Sequence, residues 1–339
     1  MAITIKDLAQ ELGLSPSTVS RALRDDNTIS RETQKKVKSL AKKWKYKPNP
    51  FAMMLRGQRS NAIAVIVPKL NHFYFANVID GIERCAQEVG FQTIVCQSDD
   101  SYDKEKEILE SPFLGYVDGI ISAFAKNTTN FEHYDRFLDK GIPMIFIDRV
   151  CEELNVPSVV TDDYSGIWDA TQHLILSGRT KIAYLGVADQ LLFNEVRESA
   201  FNESLALQNI ECPKNWIHVC SQNTVEEGKA AALKLLNRPA AERPNAILAN
   251  NDILALGIYQ AARELNISIP QELAVVGFGD LPFSEWLTPS LSTVKQNGDQ
   301  LGKIAANYIF KEISPNNPPT DDHNGFIIQT ELIVRDSSK

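Results

Sequence analysis

From Asn61 onward the chain repeats one rhythm: a short apolar run, a longer amphipathic segment, then another apolar run. Ala62–Pro68, Phe91–Gln97, Val117–Ala123 and Pro143–Ile147 have the length and continuous apolar character of strands covered on both faces. Segments around 75–89, 103–114 and 130–140 carry apolar residues at helical spacing between them. A second series starts at Val156–Thr161 and runs through Lys181–Gly186, Trp216–Cys220, Asn245–Ala249 and Leu273–Phe278. Its helices are expected near 164–177, 195–208, 224–237 and 252–266. A surface loop, Pro315–His323, precedes a last expected strand, Phe326–Val334. Alternating strands and helices can pair in parallel only through right-handed crossovers, and more than eight such strands suit two sheets better than one. The fold class is therefore α/β, with doubly wound sheets.

The first 60 residues do not share this rhythm. In Thr4–Leu23 (TIKDLAQELGLSPSTVSRAL) Thr4 can cap a helix, with Asp7 three residues on as the acidic half of a capping box. Ile5, Leu8, Ala9 and Leu12 then share a face, and Gly13 ends the helix. Ser15 is an N-cap and Pro16 sits where its missing N–H costs nothing. Val19, Ala22 and Leu23 are the apolar side of this second helix, which turns Ser15, Ser17, Thr18, Ser20 and Arg21 away from them. Two short helices joined through a glycine, the second displaying hydroxyls and an arginine, form the pattern of a helix-turn-helix. Ser30 caps a third helix whose Val37, Leu40, Ala41 and Trp44 close a small core, while Lys35, Lys36, Lys38, Lys42, Lys43 and Lys45 crowd its other side. Tyr46-Lys47-Pro48-Asn49-Pro50 then interrupts helix, and Phe51–Gly57 is again helix-prone.

Charge follows the same division. The net charge of −8 hides 13 Lys and Arg against 5 Asp and Glu in residues 1–60, net +8, leaving −16 for the rest. A basic head on an acidic body is expected where only the head meets phosphate. No run of about 18 apolar residues exists to span a membrane, and the N-terminus enters a polar helix without the apolar core of a signal peptide. The five cysteines, 85, 96, 151, 212 and 220, are scattered and form no C-x-x-C pair, as in a reduced, cytoplasmic protein. Enzyme signatures are missing: there is no G-x-G-x-x-G after the first strand, no P-loop and no G-x-S-x-G, and the five histidines are dispersed. The expectation is a protein that is not an enzyme and needs no metal or other cofactor.

TIKDLAQELGLSPSTVSRAL, the later YKPNP, and GFGDLPFSEWLTPSLSTVKQ near the end resemble the LacI/GalR family of bacterial transcription regulators over essentially the whole chain. The resemblance implies a helix-turn-helix headpiece (1–47), a hinge helix and linker (48–60) and a core resembling periplasmic sugar-binding proteins (61–339). Two subdomains, roughly 61–161 with 295–324 and 162–294 with 325–339, would be joined by crossings near 161–163, 291–295 and 324–326. It further implies a homodimeric, ligand-responsive repressor that binds a pseudo-palindromic operator in double-stranded DNA and a sugar or sugar derivative as effector. A nucleobase or sugar phosphate is the alternative effector. A sugar-binding protein with no transcriptional role is the alternative outside this class.

Matched by position, Pro16, Ser17 and Arg21 face bases, and Thr4, Ser15, Thr18, Ser20 and Asn27 face phosphate. Asn49, Met54 and Leu55 belong to the hinge, with Leu55 as a wedge in the minor groove. Tyr74, Phe75, Asp148, Arg149, Phe193, Arg197, Asn251, Asp252 and Gln296 match cleft positions, whereas Trp216 and Trp286 are expected to pack in the core, with stacking on a sugar as the alternative. Arg197, serving a ligand, is expected to be dispensable for folding. The family commonly has two acids after Gly-Phe. Here Gly279 replaces the first, so either Asp280 turns inward in compensation or the ligand differs from a simple free hexose.

Overall fold

The computed structural model describes residues 3–46, 59–151, 153–188, 192–314 and 325–339, and the chain divides into two compact units, 1–60 and 61–339. The expected hinge, with Asn49, Met54 and Leu55, lies outside the described residues, as does the whole of the loop Pro315–His323.

The first unit contains α1 (Ile5–Leu12), α2 (Pro16–Leu23) and α3 (Arg31–Lys43). Each start follows from its sequence. Thr4 and Asp7 complete the reciprocal capping box, Ser15 accepts from the Thr18 N–H at 3.1 Å, and Ser30 accepts from the Thr33 N–H at 3.2 Å. Gly13 ends α1 at φ 63°, the left-handed region that a side chain disfavours. Leu8, Val19, Ala22 and Val37 are fully buried where the three helices meet.

The second unit holds two six-stranded sheets. The first contains β1 (Ala62–Val67), β2 (Gln92–Gln97), β3 (Gly119–Ser122), β4 (Met144–Ile147), β5 (Ser158–Thr161) and β11 (Phe326–Ile328), in the order β2-β1-β3-β4-β5-β11, all parallel. The second contains β6 (Ile182–Val187), β7 (Ile217–Cys220), β8 (Ala246–Ala249), β9 (Ala274–Phe278), β10 (Ser292–Lys295) and β12 (Glu331–Ile333). Its order is β7-β6-β8-β9-β10-β12, with only β12 antiparallel. Both sheets are thus wound in the same sense, and each reverses direction between its first and third strands in sequence.

Helices cover both faces, which is why the strands are continuous apolar runs. Ile63, Val65 and Val67 of β1 pack under α4 (Phe73–Val89) and α11 (Gly298–Ile313). Ala64 and Ile66 turn to the opposite face, with α5 (Tyr102–Glu110) and α6 (Glu132–Leu138). In the second sheet Ala183 and Leu185 meet α9 (Val225–Leu236) and α10 (Asp252–Glu264). Ile182 and Tyr184 meet α7 (Asp163–Leu176) and α8 (Leu192–Leu207).

Two expectations are corrected. Phe326–Val334 is two strands in different sheets, so the third crossing lies at 329–330 and not 324–326, and 325–328 belong with the first sheet. The second crossing lies at 296–297, because β10 stays in the second sheet through Lys295 while α11 packs on α4 of the first. The first crossing is at Asp162, between β5 and α7.

The α4–α11 contact depends on missing side chains. A Cβ on Gly302 would overlap the Val78 carbonyl oxygen, and one on Gly81 the Asp299 carbonyl. Backbone cannot yield as a side chain can, so Gly302→Ala is expected to destabilise the core by about 2–3 kcal/mol. Gly115→Ala, where nothing lies within 4 Å, is expected to stay within about 0.5 kcal/mol. Urea unfolding of both variants checks this.

Candidate functional site

On the headpiece, Pro16, Ser17 and Arg21 are exposed and Ser20 is half-buried. They project from α2 on the side away from Val19 and Ala22, with Ser17 and Arg21 one turn apart. Asn27 is exposed in the turn before α3. The hydroxyls of Thr4, Ser15 and Thr18 already serve local structure. Thr4 bonds Asp7, and Ser15 lies 2.7 Å from the Ser17 hydroxyl and 2.8 Å from that of Thr18. All six lysines of the α3 region are exposed, the surface needed for non-specific attraction to phosphate.

In the core, the strands of both sheets direct their C-terminal ends to one cleft of about 760 Å³ between the lobes. Open doubly wound sheets bind ligands at these ends, where the winding reverses. Pro68 and Lys69 follow β1, Asp148 and Arg149 follow β4, Asn250 and Asn251 follow β8, and Gly279 follows β9; all of them line the cleft. Of the expected positions, Tyr74, Phe75, Asp148, Arg149, Phe193, Arg197, Asn251 and Gln296 are brought together there.

Asp252 and Asp280 are not among the lining residues. Asp252 is fully buried and accepts from the Leu281 N–H at 2.8 Å, the Ser284 hydroxyl at 2.8 Å and the Thr293 hydroxyl at 2.6 Å. It fastens the loop after β9 to β10. Asp280 turns to Arg335, at 2.8 Å, instead of inward. Gly279, at φ 125°, occupies a conformation closed to a carboxylate-bearing residue. The tryptophans do not line the cleft either: Trp216 packs in the core under α9 and α10, and Trp286 is 79% exposed away from it.

Arg197 is more embedded than its sequence suggests. Its guanidinium donates to the Asn250 carbonyl (2.9 Å) and side-chain oxygen (2.7 Å) and to Asp163 Oδ2 (3.1 Å). It also lies 3.7 Å over the Phe278 ring and 4.9 Å from that of Phe193. At 5% exposure it holds α8, β8, β9 and the start of α7 together. The expectation that folding would not need it is therefore reversed. Across the cleft, Arg149 donates to Asp100 Oδ1 at 2.9 Å and to the Phe124 carbonyl.

Asp100, Asp163 and Asn250 were not singled out from sequence. Asn250 had a neighbour as its only signal, the candidate Asn251. Asp163 adjoins a crossover, and Asp100 carries no local mark at all.

Asp148 holds φ 67° with a side chain only 14% exposed. Burial lifts its carboxyl to about 6 against the opposing pull of Arg149, and burial also raises Asp163. A carboxyl with a raised folded value favours the protonated fold, so its contribution declines as pH climbs from about 4 to about 6 and is level above that. Asp148→Asn, which tolerates the left-handed backbone, is expected to stabilise the core by roughly 1–3 kcal/mol at pH 7.5. That gain should shrink toward zero by pH 4, read as unfolding midpoints across pH. Among the described residues no group of His, Cys, Asp and Glu is placed to hold a metal ion, and no helix is long and apolar enough to cross a membrane.

A basic helix-turn-helix unit and a two-lobed core with a polar cleft, carried on one chain, are the parts of a DNA-binding regulator. Residues 4–49 match the family model for bacterial regulatory proteins of the lacI family, and 171–338 match that for periplasmic binding protein-like domains. The chain is 30% identical to the ribose operon repressor of Halalkalibacterium halodurans over 99% of its own length and 97% of that protein's. It is 32% identical to the transcriptional regulator DegA of Bacillus subtilis over 89% of each. Its fold matches that of a lac repressor dimer bound to operator and the anti-inducer ONPF, with a TM-score of 0.84, 21% identity and coverage of 100% of this chain and 99% of that one. The chain belongs to the LacI family of bacterial regulatory proteins and is a DNA-binding transcriptional regulator.

Proposed function

We propose that the chain is a cytoplasmic homodimeric repressor, without enzymatic activity, whose effector is a sugar or sugar derivative held between the lobes of the core. The observation that carries the effector reading is the cross-cleft set of Asp148 and Arg149 from the first lobe and Arg197, Asn250 and Asn251 from the second. Carboxylate, amide and guanidinium groups at a largely pre-formed cleft can accept from and donate to vicinal hydroxyls. The ribose operon repressor among the relatives supports the same class.

On the headpiece, Ser17 and Arg21 are the base readers and the α3 lysines the phosphate contacts. A two-fold dimer requires two-fold half-sites, so the operator is pseudo-palindromic. Ligand contacts that differ between lobe angles couple the cleft to the headpieces.

Selection of bound duplexes from a random library by the full chain tests the DNA half: a consensus with two inverted half-sites is expected, and enrichment without one would contradict it. Thermal unfolding with free pentoses, hexoses and sugar phosphates tests the other half. A ligand at a hundred times its Kd adds about 2.7 kcal/mol.

A further inference from the structure

Beyond Arg149 the cleft continues toward the crossovers. A second cavity of about 520 Å³ shares Lys126, Asp148, Arg149 and Phe193 with the cleft and adds apolar surface beside the carboxylates of Glu153, Asp162 and Asp163. Its apolar walls include Phe124 and Val150 of the first lobe, Val196 of the second, and Tyr164 and Ile327 beside the first and third crossovers. Val150 is 43% exposed, Tyr164 36% and Ile327 67%, so apolar surface stands open to water beside a polar site. Contiguous exposed apolar surface of this kind marks a binding surface in a soluble protein.

We propose that this chamber receives an aromatic ring borne by the same ligand whose hydroxylated part occupies the cleft, which makes the effector an aryl glycoside. This rests on the cleft being the effector site. A bare pentose or hexose would leave the chamber to water against Val150 and Ile327. The boundary between the two spaces is polar, with Lys126, Asp148 and Arg149 placed to meet the hydroxyls and glycosidic oxygen of a ligand that spans it. Beyond them the rings of Phe124, Phe193 and Tyr164 suit a flat apolar group. A ring seated between Val150 and Val196 touches both lobes, so its fit changes with the angle between them.

The test uses the full chain and matched methyl and 4-nitrophenyl β-glycosides of glucose, galactose, xylose and arabinose, with 4-nitrophenol alone as the ring without a head. Calorimetric titration is expected to give at least one pair in which the nitrophenyl glycoside binds ten or more times tighter than the methyl glycoside. Val150→Asp and, separately, Ile327→Ser are expected to remove that gain while methyl glycoside binding stays within twofold. Equal binding of the two kinds, or a gain that survives both variants, overturns the chamber and leaves the cleft reading intact. Binding of 4-nitrophenol as tight as that of its glycosides overturns the cleft reading and with it the proposed class. Binding of no probe overturns both.

Discussion

Arg197→Ala is expected to abolish the response of operator binding to effector and to lower the stability of the core by about 3–5 kcal/mol. The two effects have different origins. Truncation strands Asp163, 7% exposed, with only the Thr161 hydroxyl at 2.8 Å among the described residues, and removes the donor from the Asn250 carbonyl and side-chain oxygen. A buried charge left without its partner costs far more than the pair contributed. Thermal unfolding should register a fall of roughly 6–20 °C, at about 2–4 °C per kcal/mol. Neutralising the stranded acid separates the roles. Arg197→Ala with Asp163→Asn should regain part of the lost stability but none of the effector response, because the donor that faces the cleft is still missing. A double variant that again responds to effector at wild-type concentrations would make Arg197 a purely structural residue.

The second large effect falls on DNA. Arg21 is exposed, one turn from Ser17, on a helix whose opposite face is locked by fully buried Val19 and Ala22. Its guanidinium can therefore enter a groove without disturbing the headpiece core. A good bidentate contact from arginine to guanine carries about 1–3 kcal/mol of discrimination, so Arg21→Ala should weaken binding to the selected operator by roughly 5- to 150-fold. Affinity for random duplex, which rests on the α3 lysines, should change little. Titrations on both DNAs at one salt concentration check this; equal losses would make Arg21 a phosphate contact.

Much of the fold was legible because its determinants are local. Strands covered on both faces must be apolar throughout, and Thr4, Gly13, Ser15 and Pro16 announce helix ends by their own chemistry. The omissions have a common cause in non-local packing. β10 is short and begins Ser292-Thr293, polar residues that are fully buried only because neighbouring elements supply partners. α11 begins at Gly298 and contains Gly302, poor helix formers there because α4 comes so close. Phe326–Val334 reads as one strand because both halves are apolar, and nothing local shows that the chain changes sheets at Gln329–Thr330.

The cleft divides the same way. The family resemblance placed Asp148, Arg149 and Asn251 at the cleft, where each follows a strand, but the partners of Arg197, 34 and 53 residues away, carry no such mark. Asn250 and Asp252, two positions apart, have opposite destinations: one lines the cleft, while the other fastens a loop from within.

Ligand control of DNA binding is the central claim, and fluorescence anisotropy of a labelled selected operator tests it most directly. The full chain is titrated at fixed salt, alone and with the compound that most raises its unfolding temperature. The account predicts that the operator Kd moves by about 5- to 150-fold, the usual range of an allosteric coupling, while Kd for random duplex stays where it was. An operator Kd unchanged under saturating ligand would contradict it, since cleft and headpiece would then be two independent binding units on one chain.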